Sequence, residues 1–442
     1  MRRDVARGGE LTVPVAREVT IRRVLGKERP HPGAVLLGLG RKIEVHDVGL
    51  GQGPALAPFR EVPEARTTPG EIDGDTEAVA SGVYVHIPFC AHRCDYCDFA
   101  TWTDRDHLID EYVDACVTDL RRRQTTDGLA PADTVFFGGG TPSMIPAASL
   151  ARILNAIPRT AEAEVTVECN PDSTSLDSLQ VLASAGVNRV SFGVQSMRTH
   201  VLTILGRTHD PDNVVRAVDA ARQAGIERIN LDLIYGTPGE TVEDWTATVQ
   251  GAIALEPEHV SAYALTVEAG TPLGQDVTAG RKAAPDDDDQ ADKYTIVDDL
   301  LAEAGYHWYE ISNWAKRGEE CRHNLIYWQG GDYLAIGCAA HGKTGDRRWW
   351  NVRTPERYIA AVQEGRSAQA DEEELDAAGR RDEQLALALR LRWGTAIAGL
   401  DRAVVEDLVT AGLLEHLDPE RIGLTRAGRM LANEVTVRLQ LR

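Results

Sequence analysis

Long apolar runs are missing from this sequence of 442 residues. No stretch reaches the roughly 18 consecutive apolar residues that a membrane-spanning helix needs, so we expect no integral membrane segment. The first residues, Met1, Arg2, Arg3 and Asp4, are not followed by the apolar core of a secretion signal. Together these two absences predict a cytoplasmic protein.

Positive charge is also scarce. The chain has 47 Lys and Arg against 68 Asp and Glu, which gives a formal net charge of −21. A field of that sign repels phosphate backbones and anionic lipid head groups. We therefore expect no nucleic acid or membrane surface as the main partner. The 43% of hydrophobic residues is the share that an ordinary folded protein uses for its core.

Cysteines are few, and seven in 442 residues do not make a disulfide scaffold. Three of them, Cys90, Cys94 and Cys97, lie within one short segment. Three thiolates on one loop can hold three irons of a [4Fe–4S] cube and leave the fourth iron open to a small molecule. A zinc site completed by His86 and His92 is the alternative interpretation.

The pattern of the chain predicts four parts. Residues 1–80 are rich in Gly, Pro, Arg and Glu, which predicts a poorly ordered extension or a segment upstream of the true start. Residues 81–275 alternate strand and helix patterns, and residues 276–375 form an α+β extension. Residues 376–442 carry helical patterns around a glycine turn, which predicts a small helical domain of winged-helix type.

Six short runs within residues 81–275 are rich in β-branched or aromatic residues. They lie at 83–87, 134–137, 165–168, 189–193, 229–235 and 259–265. Segments with helical spacing separate these runs, and repeated strand–helix–strand units form a parallel sheet with helices outside. The fold class is therefore α/β, and six strands predict an open, partial (β/α)6 barrel. Functional residues are expected at the carboxyl ends of its strands.

An acidic run follows the predicted barrel. Pro285 is followed by four aspartates, Asp286 to Asp289, and a helical pattern begins near Gln290. The run predicts either a solvated linker or the acidic first turn of a helix.

The cysteine segment and its flanks resemble the radical S-adenosylmethionine (SAM) superfamily. The segments YVHIPFC (84–90) and CDYCDF (94–99) are similar to the branch that contains oxygen-independent coproporphyrinogen III dehydrogenase and the haem chaperone group HemW. The resemblance continues to the C-terminus. It implies a radical SAM barrel, a [4Fe–4S] cluster on the three cysteines and SAM beside it. Tyr84 and Tyr96 are then SAM contacts, with Tyr96 against the adenine.

The same resemblance implies further SAM contacts after the second and third strands. Gly139, Gly140 and Thr141 match the family's loop for the methionine end of SAM, where glycines let the backbone approach a ligand. Glu168 ends the third strand, and a carboxylate there can bridge ribose hydroxyls. A tight turn and a solvated strand-end acid are the structural alternatives for these residues.

Three polar residues follow on later strands and loops. Gln195, Arg207 and Asp232 can all lie near the barrel mouth. Their counterparts in the dehydrogenase contact a second SAM molecule, which makes them candidate SAM contacts here. The structural alternative is a buried polar network that holds the barrel together.

Two departures separate the relatives within this branch. The dehydrogenase pattern has a fourth cysteine where this chain has Phe99, as in the chaperone pattern. The segment CRHNLIYW (321–328) reproduces the His-Asn-x-x-Tyr-Trp run of the chaperone group. It makes His323, Asn324, Tyr327 and Trp328 candidate haem contacts, because imidazole binds iron and aromatic rings pack on a porphyrin. By itself, such a histidine is more often structural, and nearby Cys321 is a second candidate for the iron.

The resemblance therefore implies a SAM-binding [4Fe–4S] protein that carries haem as cargo to apo-haemoproteins, such as those of the respiratory chain. The alternative is a coproporphyrinogen III dehydrogenase, which uses a radical to decarboxylate propionate side chains to protoporphyrinogen IX. A third interpretation is another radical SAM enzyme with an unrelated substrate.

Overall fold

The computed structural model describes residues 81–126, 130–207 and 209–440. The predicted extension 1–80 lies outside these residues. Within them, no helix combines the length and the apolar character that crossing a bilayer requires.

Six parallel strands form the centre of the structure. Their bounds are β1 Ser81–Ile87, β2 Ala132–Gly139, β3 Arg159–Cys169, β4 Arg189–Gln195, β5 Arg228–Tyr235 and β6 His259–Ala264. Each strand pairs in parallel with the next one along the chain. All six predicted strands are confirmed. In the described residues β6 does not pair with β1, so the sheet stays open and the predicted partial barrel is confirmed.

Helices alternate with these strands and cover one face of the sheet. Their bounds are α1 Ile109–Thr126, α2 Ala147–Asn155, α3 Leu176–Ala185, α4 Thr199–Ile204, α5 Pro211–Gln223 and α6 Val242–Ala254. Alternate residues of the strands, such as Val85, Val167 and Leu231, are fully buried in the core beneath these helices. Each such side chain stabilises the fold by about 1.5–3 kcal/mol relative to an exposed one.

The opposite face of the same strands lines the inside of the barrel and is polar. Thr166 on β3, Ser191 on β4 and Asn230 on β5 are all buried there. Because a buried polar group without a partner is costly, this face must be hydrogen-bonded internally or to a ligand.

The C-terminal extension adds strands to both edges of the barrel sheet. Its elements are α7 Pro272–Thr278, α8 Asp287–Glu303, β7 His307–Glu310, β8 Asn313–Ala315, α9 Arg322–Trp328, β9 Asp332–Ile336, β10 His341–Thr344, β11 Arg347–Asn351, α10 Pro355–Gln363 and β12 Gln369–Glu374. Strands β8 and β7 continue antiparallel from β6. On the other edge β9 pairs in parallel with β1, and β10, β11 and β12 follow antiparallel.

The acidic run opens a helix. The side chain of Asp286 caps α8 by accepting a hydrogen bond of 2.9 Å from the backbone N–H of Asp289. Asp287, Asp288 and Asp289 form the first turn, where the helix dipole favours negative charge. The helix interpretation of the run is therefore confirmed, and the linker interpretation is wrong.

The last part has more strand than the sequence pattern predicts. Its elements are α11 Ala377–Leu389, β13 Thr395–Ala396, α12 Arg402–Thr410, β14 Leu414–Asp418, β15 Arg421–Leu424, α13 Arg426–Met430 and α14 Ala432–Gln440. The strands form an antiparallel sheet in the order β13-β15-β14, and a separate apolar core packs the helices against it. Arg429 ties this part to α8 through a bond of 2.8 Å to Asp298.

A fully buried lysine joins α8 to the barrel. The ammonium of Lys293 donates a bond of 2.8 Å to the backbone carbonyl of Glu240. It also lies 3.2 Å from the Glu240 carboxylate and 2.7 Å from that of Asp289. The Lys293 and Glu240 side chains are both fully buried, so each offsets the buried charge of the other, and Asp289 adds a second carboxylate beside the ammonium.

We expect Lys293→Met to lower the free energy of unfolding by about 3–5 kcal/mol, because it leaves the Glu240 carboxylate buried without its cation. The control is Arg438→Met, which removes an exposed ion pair to Glu434 worth about 0.3–0.5 kcal/mol. Urea denaturation followed by tryptophan fluorescence measures both changes. Equal, small effects of the two substitutions would contradict the expectation.

Candidate functional site

The loop that follows β1 carries the three clustered cysteines over the carboxyl ends of the strands. Its start is held by a bond of 3.0 Å from the N–H of Cys90 to the carbonyl of Trp102. Its middle is held at Asp95, whose N–H donates to Leu205 at 3.1 Å and whose carbonyl accepts from Leu273 at 2.9 Å. The loop is therefore tied to the barrel beyond α4 and at the start of α7.

The three thiols suit a cluster better than a single ion. In a [4Fe–4S] cube each thiolate binds a different iron, so the sulfurs do not converge on one atom. Among the described residues, no three His, Cys, Asp or Glu side chains lie close enough together to bind one metal ion. Burial raises the pKa of Cys97 to about 12 and also raises that of Cys90, so iron must displace their protons on binding.

His86 and His92, the two histidines of the zinc interpretation, differ from each other in their surroundings. His86 donates from Nε2 to the carbonyl of Ala100 at 3.0 Å, and its Nδ1 accepts from the Tyr84 hydroxyl at 3.2 Å. Burial lowers the pKa of His86 to about 4, which keeps this neutral tautomer at pH 7. His92 is exposed on the loop. The bonded ring of His86 holds the far end of the cysteine loop to β1.

The glycine segment after β2 lies directly against the cysteine loop. The N–H of Gly140 donates to Ile87 at 2.7 Å, and that of Thr141 donates to Phe89 at 2.8 Å. A Cβ on Gly140 would stand 2.7 Å from the Phe89 carbonyl, and one on Gly139, whose φ is 109°, would overlap the His86 ring. The Thr141 hydroxyl is 3.6 Å from the sulfur of Cys90. Glycine is thus needed here for close approach of the two loops.

Two carboxyl groups face each other inside the barrel. Glu168 is partly buried and accepts a bond of 3.1 Å from the N–H of Gly139. Burial, together with the nearby charge of Asp232, raises the pKa of Glu168 to about 8. Burial also raises the pKa of Asp232. Neither group is a freely solvated acid, and a ligand with hydroxyl donors would favour their charged forms.

Gln195, Arg207 and Asp232 come together around Gly193. A Cβ atom added to Gly193 would lie 3.1 Å from the Gln195 amide nitrogen and 3.2 Å from a guanidinium nitrogen of Arg207. Asp232 lies opposite Gly193 in the β4–β5 pairing. Gln195 itself has a φ of 64°, a strained conformation for a residue other than glycine. The structure therefore places these three predicted residues beside one another.

Arg207 links this group to the cysteines. One guanidinium nitrogen donates to the Gly193 carbonyl, and another lies 3.6 Å from the sulfur of Cys94. Its Nε is buried and has no hydrogen-bond partner within the described ranges. Tyr96 packs on the apolar cluster at the ends of β5 and α4.

A buried polar network holds Asp232, and its members, Ser191, Asn230, His259 and Tyr309, were not singled out from the sequence. Ser191 donates to one carboxylate oxygen at 2.6 Å, and Asn230 donates to the other at 2.9 Å. His259 donates from Nδ1 to the Asn230 side chain at 2.6 Å, and its Nε2 is bonded to the Tyr309 hydroxyl at 2.8 Å. Polar residues at alternate positions along the strands are the sequence pattern that could have predicted this network. For Asp232, the structure thus contains the polar network that was the alternative interpretation.

The predicted haem segment lies at the other end of the barrel. His323 stands on α9, is only 1% exposed, and stacks on Phe136 with ring centroids 5.1 Å apart. Its Nδ1 is bonded to the Thr134 hydroxyl at 2.7 Å and its Nε2 to the Tyr327 hydroxyl at 2.8 Å. Both ring nitrogens are therefore engaged. Iron coordination by His323 requires one of these bonds to open.

The other residues of the segment differ in their contacts. Tyr327 meets Tyr333 of β9 edge to face at 4.5 Å, and Trp328 stacks under the guanidinium of Arg390 at 4.3 Å. Asn324 is partly exposed. The sulfur of Cys321 is fully buried and lies 3.5 Å from a Glu164 carboxylate oxygen.

A column of rings connects the two ends of the barrel. His323 stacks on Phe136, Phe136 stacks on Tyr84 at 6.3 Å, and the Tyr84 hydroxyl bonds His86. His323 of the haem segment is thereby linked through Phe136 to Tyr84, one of the predicted SAM contacts.

We expect Glu168→Gln to flatten the pH dependence of stability. The pKa of this carboxyl rises from its ordinary 4.5 to about 8 on folding, so folding takes up a proton and wild-type stability falls as pH rises from 4.5 to about 8. The melting temperature of the wild type minus that of the variant should therefore decrease across this range. Exposed Glu243→Gln is the control; a constant difference for Glu168→Gln would contradict the expectation.

Comparison with known proteins agrees with this arrangement. A family model described as the Radical SAM superfamily matches residues 84–251. The haem chaperone HemW of Mycobacterium tuberculosis is 41% identical over 364 residues, covering 80% of this chain and 93% of that protein. The haem chaperone HemW of Bacillus subtilis is 35% identical over 368 residues, covering 80% of this chain and 97% of that protein.

A solved structure shares the fold. The coproporphyrinogen III oxidase HemN of Escherichia coli, described as a radical SAM enzyme, superposes with a TM-score of 0.72 at 22% identity, covering 82% of this chain and 90% of that chain. At that identity the likeness shows the fold alone. The match of the family model and the similarity to HemW over nearly the whole length of those relatives show that this chain belongs to the radical SAM superfamily and, within it, to the haem chaperone HemW family.

Proposed function

We propose that this protein is a haem chaperone that binds haem and passes it to apo-haemoproteins, such as those of the respiratory chain. The observation that carries this proposal is the similarity to proteins named haem chaperone HemW over four-fifths of the chain. The proposal includes a cytoplasmic location.

The mouth of the barrel is suited to a SAM-ligated [4Fe–4S] cluster, as membership of the superfamily implies. Cys90, Cys94 and Cys97 would hold three irons of the cluster, which would supply an open iron for SAM. Arg207 lies against Cys94 and places a positive charge beside a thiolate.

We propose that the remaining SAM contacts are the residues that the family resemblance implies, and their surroundings are compatible with this role. The segment from Gly139 to Thr141 presents its backbone next to Cys90. Glu168 and Asp232 offer acceptors for ribose hydroxyls inside the barrel, with Gln195 beside them, while Tyr84 and Tyr96 contribute rings.

The haem segment on α9 supplies aromatic surface. We propose that Tyr327 and Trp328 contact the porphyrin, with Asn324 at its edge. In the described conformation His323 is held by Thr134 and Tyr327, so its first role is to position α9 against β2.

We expect Cys90→Ser, Cys94→Ser and Cys97→Ser each to lose most of the iron and sulfide after anaerobic reconstitution. A serine hydroxyl is a poor replacement for a cluster thiolate. Cys116→Ser is the matched control, because that thiol lies in α1, fully buried in the core and outside the cysteine loop. Iron and sulfide analysis measures the effect, and full cluster content in any of the three loop variants would show that its cysteine is not a ligand.

The function is tested against the dehydrogenase alternative by anaerobic incubation of the cluster-loaded protein with coproporphyrinogen III, SAM and reductant. We expect no protoporphyrinogen above background, while the same sample binds ferric haem. An authentic dehydrogenase run in parallel shows that the assay works. Formation of protoporphyrinogen would overturn the chaperone proposal, and so would failure of the intact protein to bind haem.

A further inference from the structure

We propose that His341 on β10 is the axial ligand of the haem iron, and that the porphyrin lies on the sheet face shared by His341, Trp350 and Tyr84. This assignment rests on the proposed haem-binding function and names the residue that carries it. His341 lies outside the haem segment on α9 that the sequence resemblance indicates.

Strand register places these residues on one face. Tyr84 of β1 is opposite Ala335 of β9. Lys343 of β10 is opposite Tyr333 of β9 in an antiparallel pair, so His341 falls opposite Ala335. Side chains directly opposite each other point to the same side of a sheet. The row therefore runs from Tyr84 across the small Ala335 to His341, and a spacing of about 4.8 Å per strand separates its ends by roughly 10 Å.

The next strand continues this row with a large ring. Trp350 of β11 is opposite His341, and the two rings stack with centroids 5.8 Å apart and an angle of 29° between their planes. On the other side, Phe136 of β2 is opposite Tyr84 and stacks on it. Flat rings on either side of one imidazole form the kind of surface on which a porphyrin packs.

His341 has the free ring nitrogens that iron needs. It is partly exposed, and neither nitrogen forms a hydrogen bond to any part of the chain that the structure describes. By contrast, both nitrogens of His86, His259 and His323 are bonded. A neutral imidazole with an unbonded nitrogen has a lone pair available for a metal.

A cation stands on the same face. Lys343 is two residues along β10 from His341, so its side chain leaves the same side of the strand. Its ammonium donates one bond of 2.7 Å to the carbonyl of Gly330. An ammonium has three donors, so Lys343 can also pair with a porphyrin propionate.

The test uses the full chain with its cluster loaded, titrated anaerobically with ferric haem and, separately, with metal-free protoporphyrin IX. We expect His341→Ala to weaken ferric haem binding by at least about 10-fold and to abolish the absorption spectrum of histidine-ligated iron. Binding of the metal-free porphyrin should change by less than about 3-fold, because the ring surface remains. Exposed His107→Ala is the matched control and should leave both affinities unchanged.

Two further measurements separate ligation from folding. His341→Met keeps a possible iron ligand, so it should bind ferric haem with an altered spectrum. Added imidazole should restore the histidine-type spectrum of His341→Ala. An equal loss of both porphyrins in His341→Ala would overturn the assignment, since it indicates a packing role.

His323→Ala distinguishes this assignment from the proposed function. If His341→Ala keeps the wild-type spectrum and His323→Ala loses it, His341 is not the ligand, but the protein still binds haem. If the wild type binds no ferric haem, the proposed function has failed, and the assignment fails with it.

Discussion

The parallel pairing of β9 with β1 is the constraint on which the site depends. Strand β1 ends in the cysteine loop and pairs with β2 on its other edge, so it is shared by the barrel and the C-terminal extension. Through this pairing the face that carries Tyr84 inside the barrel continues onto Tyr333 and His341 of the extension. The proposed cluster site and the proposed aromatic surface for haem thereby become parts of one sheet, although their residues lie some 250 positions apart in the sequence.

The inside of the barrel contains buried polar groups beside aromatic rings, an arrangement that lowers stability. Glu168 and Asp232 keep raised pKa values because burial outweighs their hydrogen bonds, and Arg207 leaves one buried donor without a partner among the described residues. Such groups are costly unless a ligand completes them. The hydrogen bonds around Asp232 and the capped, ion-paired α8 supply the rigidity that holds this mouth in place.

The strands and helix starts that local interactions determine were predictable from the sequence. Short runs rich in β-branched or aromatic residues located all six barrel strands, and the acidic residues after Pro285 offered the first turn of α8 as one of two interpretations. Contacts between distant segments were not predictable in this way. Thr134 and His323 are 189 residues apart, and neither sequence segment predicts the hydrogen bond between them. That bond occupies a ring nitrogen of the histidine that the sequence motif makes a candidate haem ligand. The proposed role of His341 rests on the register of β10 on β9, which depends on how the extension folds back onto the barrel.

In the proposed function this protein hands haem to a recipient rather than merely holding it. Stopped-flow transfer of haem from the loaded, cluster-containing protein to an apo-haemoprotein of the respiratory chain measures this directly, with apomyoglobin as a passive haem scavenger for comparison. We expect a transfer rate that rises with recipient concentration and exceeds the rate of loss to the scavenger. A rate that is the same for both acceptors and independent of their concentration would mean simple dissociation, and would rule out active transfer.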